Sequence, residues 1–147
     1  MKVIIEWSHP INFENYPSHN LIKENGIYQI TRIVGKNEKL LYIGKAFNQT
    51  FEQRLDDHNN KWIDNYKGQI KLRLGLVSIY KSFLWFFSQE INSENHHFED
   101  IESAFIFHCQ PEHNTKKKEG YSFKNEFIIQ NSGKYGFLPK EFNTKNL

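Results

Sequence analysis

The chain has 147 residues, long enough for one domain with its own core and too short for two ordinary ones. Aromatic side chains make up 16% of it, which argues against disorder, while a net charge of +2 and a pI near 8.5 tilt it toward polyanions only weakly. The single cysteine, Cys109, excludes an intramolecular disulfide and a Cys-rich zinc site, so a reducing, cytoplasmic setting is the expectation.

In chain order, residues 2–7 read as a short strand, and MKVIIEW lacks the pattern of a signal peptide. The longest apolar run, 83–87, is far below a membrane span, so no membrane partner is expected. His9-Pro10 and Tyr16-Pro17 mark an irregular segment in which His9 and His19 are read as solvated. Gly26 to Lys45 then reads as two strands about a turn at 35–38. Each strand carries a Tyr beside a Gly: Gly26-Ile27-Tyr28 in the first, Tyr42-Ile43-Gly44 in the second. Glycine weakens a strand unless something must approach the backbone closely. A four-residue turn gives an odd pairing sum and puts the two tyrosines on opposite faces. An odd loop length or a β-bulge near a glycine would restore a common face, or the tyrosines reach the site from different sides; the bulge is the favoured arrangement.

Thr50-Phe51-Glu52-Gln53 fits a capping box opening a helix that runs to about Tyr66 and ends at Gly68. Phe51, Leu55, Trp62 and Tyr66 recur at helical spacing, with His58 on the same stripe and Arg54 one turn before it. A solvated Arg54 and a satisfied core His58 would explain the pair equally well. Residues 70–80 read as a third strand, with Leu72, Leu74 and Leu76 on one face and Arg73 on the other. There Gly75 marks a bulge or a close approach. Residues 81–89 fit strand or helix alike, and 90–97 read as a polar loop. The adjacent His96 and His97 cannot share a face, which argues against a metal pair there.

A second helix is expected over 98–109, with Glu102 at the edge of its apolar face. Pro111 ends it and Asn114 follows. The Lys116-Lys117-Lys118 run is either solvated or a grip on phosphate. Residues 121–130 read as a last strand turning at Asn131-Ser132-Gly133, and the final eight or so residues have little to bury and are expected to fray.

The two glycine–tyrosine tripeptides, Arg54 and His58 on the helix behind them, and Glu102 with Pro111 and Asn114 beyond resemble the GIY-YIG nuclease family. The resemblance spans Gly26 to Asn114; residues 1–25 and 115–147 have no recognised counterpart in one 1–147 domain. It implies an α/β fold with a small, mainly antiparallel central sheet, the hairpin plus a third strand, flanked by helices. It also implies a DNA endonuclease that leaves 5′-phosphate and 3′-hydroxyl ends. The implied catalytic positions are Tyr28, Tyr42, Arg54, His58, Glu102 and Asn114; Gly44 and Lys45 stand beside them toward substrate, and Lys116, Lys117 and Lys118, outside the resemblance, are substrate-binding candidates by their charge alone.

Independent chemistry agrees with that assignment. Phosphodiester hydrolysis needs an activated water and shielding of developing phosphoryl charge. A hard ion such as Mg²⁺ or Mn²⁺ takes few carboxylates beside water and phosphate, so Glu102 alone suffices for one ion. Arg54 offers a permanently charged planar fork for the scissile phosphate. Following the resemblance, Tyr28, lowered by nearby cations, is the expected base with His58 to receive its proton. His58 titrates in the useful range by itself and is the alternative. Tyr42 would position water or phosphate and Asn114 would brace the site. A catalytically silent DNA- or RNA-binding module of the same fold is the second reading, and a protein-interaction domain the third. DNA specificity, biological role and the choice between monomer and homodimer are left open by the sequence.

Overall fold

The computed structural model describes residues 1–57, 60–84 and 87–147. Its organising unit is the hairpin. The sheet begins with β1 (Lys2–Trp7) and β2 (Ile11–Asn12), followed by β3 (Gly26–Val34) and β4 (Asn37–Ala46). Residues 51–57 form the short helix α1 (Phe51–Asp57), and a 3-10 segment covers Asn60–Asn65. Then come β5 (Gln69–Leu84), β6 (Phe87–Ile91), the long helix α2 (Asn95–Cys109), β7 (Ile128–Gly133) and β8 (Glu141–Asn143).

Among the described residues, eight strands make one curled sheet in the order β4-β3-β5-β1-β7-β8, with β2 and β6 also paired to β5. About 40% of the protein is strand and 25% helix. The expected small, mainly antiparallel sheet flanked by helices is therefore corrected to a large mixed one. The hairpin and third strand do pair as β4-β3-β5. The chain's two ends then extend that sheet, with β7 lying parallel to β1 from Lys2↔Ile128 to Trp7↔Gly133. Val3, Ile5 and Trp7 alternate inward and find Ile129 and Phe127 beside them, so burial drives this non-local pairing.

Alternation along β3 divides the interior. Ile27 packs with Phe98, Ile101, Phe105 and Phe142 on the α2 face. Tyr28 and Ile30 pack with Phe51, Leu55, Leu72 and Leu74 on the α1 face. A Cβ on Gly26 would lie 2.0 Å from the carbonyl oxygen of Gly75, so β3 and β5 meet there only because position 26 is glycine. Gly75 is likewise a close approach and not a bulge.

Several local expectations are corrected. The single helix to Tyr66 is replaced by α1 and a 3-10 segment. Residues 90–97 are not one loop: β6 reaches Ile91 and α2 begins at Asn95, where the backbone N–H of Glu94 donates to His97 Nδ1 at 3.0 Å. Asn131-Ser132-Gly133 lies inside β7, because Asn131 Oδ1 accepts the Trp7 indole N–H at 2.7 Å and its amide donates to Pro139 O at 2.7 Å. The C-terminal residues are anchored instead of frayed, with Thr144 buried and its Oγ1 accepting the Phe127 N–H at 2.9 Å. His19 is buried, not solvated. Among the described residues, no helix is long and apolar enough to cross a membrane.

Candidate active site

Register decides where the tyrosines point. Tyr28 pairs with Gly44 and Ile30 with Tyr42, but Thr31 pairs with Leu40, so Leu41 is the extra residue of a bulge. The pairing sum is even beyond that bulge, which brings Tyr28 and Tyr42 to one face with ring centroids 6.0 Å apart. Gly44 makes room for this. A Cβ there would fall 2.3 Å from Tyr28 Cζ and 2.4 Å from its hydroxyl oxygen.

The helical side is built by the capping box. Thr50 Oγ1 accepts the Gln53 N–H at 3.1 Å, and Gln53 Oε1 accepts the Thr50 N–H at 2.9 Å. With Phe51 and Leu55 buried, Arg54 emerges from the last turn of α1. From the opposite direction α2 presents Glu102, which is 9% exposed. The carboxylate of Glu102 and the guanidinium of Arg54 both lie within electrostatic reach of the two phenols.

These neighbours set the ionisation of the group. Burial and then the neighbouring Tyr42 push the Tyr28 phenol well above its ordinary range, and Arg54 offsets this only in part. The expectation that cations lower Tyr28 is thus reversed: desolvation wins because the side chain is fully buried. Tyr42 is raised by burial and by Glu102. Burial works against the charge of Arg54, but the phenols and Glu102 outweigh it and hold it cationic. The Tyr28 hydroxyl makes no well-formed hydrogen bond although it is buried.

Asn114 binds the other side of the hairpin. Its Oδ1 accepts the Ile43 N–H at 2.9 Å and its amide donates to Ile43 O at 3.1 Å. The preceding N–H groups of Glu112 and His113 donate to Leu40 O and Leu41 O, so this segment covers the free edge of β4 along the bulge.

The lysines have partners of their own. Lys45 pairs with Glu99 and reaches Asn95 Oδ1 at 3.2 Å. Lys117 Nζ lies 2.9 Å from Glu102 Oε2 and 3.8 Å from Glu99 Oε2. Lys118 donates to Pro111 O at 2.7 Å, and Lys116 is exposed. The structure thus gathers Tyr28, Tyr42, Arg54 and Glu102, with Gly44 beneath Tyr28 and Asn114 bracing behind. Of the three consecutive lysines, only Lys117 reaches a carboxylate of this group. His58 lies outside the described residues.

Sequence reading missed Glu99 and His113. Glu99 stands one turn before Glu102, a spacing that could have been noticed. His113 is stacked on Trp62 at 3.8 Å and 7° and lies 6.3 Å from the Tyr42 ring, a contact with no local sequence signal.

Among the described residues, no three His, Cys, Asp or Glu converge as a metal cluster, and Glu102 is the one carboxylate of this group that would hold a divalent ion. The Lys117 ammonium already pairs with that carboxylate, 2.9 Å from its Oε2.

Elsewhere, a cleft of about 590 Å³ is lined by Trp7, Ser8, His19 and Leu76 among others. Ser8 Oγ and His19 Nε2 are 3.1 Å apart, as in a nucleophile–base pair. His19 Nδ1, however, accepts the Leu21 N–H at 3.0 Å, so the ring proton sits on Nε2 and is donated to Ser8. That tautomer cannot take a proton from serine.

No protein-family model, curated protein or solved structure matches the chain.

Proposed function

We infer that the protein is a metal-dependent DNA endonuclease of GIY-YIG type. The observation that carries the reading is the convergence of two phenols, one guanidinium and one nearly buried carboxylate beside the edge strand β4. No core needs that combination, since each group loses hydration there. A phosphodiester uses all of them.

Arg54 holds the scissile phosphate and shields charge as it develops on the phosphoryl oxygens. Tyr42 positions the attacking water or a phosphate oxygen. Tyr28 is a neutral phenol in the free protein, so it acts as a relay: it accepts the water proton as its own passes to His58. Asn114 keeps Ile43, and with it the tyrosine and glycine on either side, in register. Glu102 would hold Mg²⁺ or Mn²⁺, which would supply Lewis-acid stabilisation of the phosphate and the departing 3′ oxygen. The products are 5′-phosphate and 3′-hydroxyl ends.

A catalytically silent nucleic-acid-binding module is the second reading, and the pairing of Glu102 with Lys117 is the observation in its favour. Incubation with supercoiled, branched and single-stranded DNA, in Mg²⁺ or EDTA, separates the two. The nuclease reading expects nicking that EDTA stops and that Arg54→Ala slows by on the order of 10²–10³. Salt-sensitive binding without any cleavage would leave the silent module.

A further inference from the structure

We propose that Lys117 is a tethered counter-cation of the active site, which holds the carboxylates until DNA phosphate draws it away and so couples divalent-ion loading to DNA binding. The inference rests on the nuclease reading of Glu102.

Its ammonium lies 2.9 Å from Glu102 Oε2 and 3.8 Å from Glu99 Oε2, bridging two carboxylates one helical turn apart. The Glu102 side chain is only 11% exposed and that of Lys117 26%, so water screens the contact incompletely. The backbone is arranged to deliver this lysine. Lys117 has φ +67, a left-handed conformation that a non-glycine residue adopts only when its surroundings impose it. The imposing contacts flank it: Gln110 Nε2 donates to Lys118 O at 2.9 Å, and Lys118 Nζ donates to Pro111 O at 2.7 Å. The loop is thus folded back on the end of α2 with Lys117 aimed at Glu102. A second mark of the site is the buried Tyr28 hydroxyl, which makes no well-formed hydrogen bond and lies within electrostatic reach of Arg54, Tyr42 and that carboxylate.

Ammonium and divalent ion are drawn to the same oxygens and compete for them. Phosphate is an alternative partner for Lys117, and Lys45 stands ready beside it on Glu99. DNA therefore frees the carboxylates, and by reciprocity the bound ion strengthens DNA binding.

Mn²⁺ binding to the 147-residue chain, followed by loss of the free-ion electron paramagnetic resonance signal, tests this without catalysis. Lys117→Met and Lys117→Gly are compared with wild type, with Glu102→Gln as the reference for the metal site. Glycine also relieves the left-handed backbone, so folding is safeguarded in one of the two variants, and melting curves check both. The expectation is that both Lys117 variants bind Mn²⁺ about tenfold more tightly than wild type in the absence of DNA, within the usual range of coupling between two sites. Equal or weaker binding in both, with binding lost in Glu102→Gln, would overturn the counter-cation role and leave the metal reading intact. Undiminished binding in Glu102→Gln, or no binding in any protein, would remove the metal reading itself.

Discussion

Asn114 grips Ile43 by both ends of its amide, accepting the backbone N–H at 2.9 Å and donating to the carbonyl at 3.1 Å. Ile43 lies between Tyr42 and Gly44 on the edge strand, so this one side chain fixes the residues that shape the site. Asn114→Ala leaves both backbone groups without their partner, a loss on the order of 1–3 kcal/mol. Urea unfolding should show a lower midpoint with an unchanged slope, and DNA nicking should fall further than stability alone explains. An unaltered midpoint would mean that the edge strand does not depend on this clamp.

Gly44 sets the position of Tyr28 by its lack of a side chain, since an added Cβ would lie 2.3 Å from the phenol ring. Gly44→Ala should destabilise the protein by about 1–3 kcal/mol, as overpacked sites do, and displace the ring. Nicking should drop at least to the level of Tyr28→Phe while the far-ultraviolet circular dichroism keeps its sheet signal. Wild-type activity in Gly44→Ala would show that Tyr28 has no required place.

The parts of the molecule legible in the sequence are those fixed by neighbours along the chain. Thr50 and Gln53 announce their capping box, the apolar period of 98–109 announces most of α2, and the parity of positions 28 and 42 admits a bulge among its solutions, found at Leu41 and not beside a glycine. What was illegible depends on distant partners. Asn131-Ser132-Gly133 has turn composition, yet Trp7 and Pro139 supply the hydrogen bonds that make it strand. β8 is three residues long and acquires its place from pairing with β7. Likewise, nothing in the local sequence of His19 reveals that Ser8 and the Leu21 N–H enclose it. In the site, residue types were readable, but the upward shift of Tyr28 was not, because it follows from complete burial.

His19 gives the protein an acid-side pH dependence. Burial lowers its pKa from the ordinary 6.5, and the Leu21 N–H needs the neutral ring as acceptor. A histidine depressed in the folded state contributes stability above pH 6.5 that is lost as the pH falls through the folded value. Burial shifts His97 and His113 in the same direction, so they share the window. Tm should decline from about pH 7 to 5, and His19→Gln should flatten part of that decline. A His19 nuclear magnetic resonance titration with its midpoint at or above 6.5 would contradict the assignment.

The account stands most directly on the carboxylate of α2. Single-turnover nicking of supercoiled plasmid in Mg²⁺ should be slower in Glu102→Gln by on the order of 10²–10³ or more, with a melting curve that still shows a folded protein. Wild-type nicking should also vanish in EDTA. A Glu102→Gln protein that nicks as fast as wild type, or cleavage that persists in EDTA, would contradict the proposal that Glu102 serves a metal-assisted phosphodiesterase.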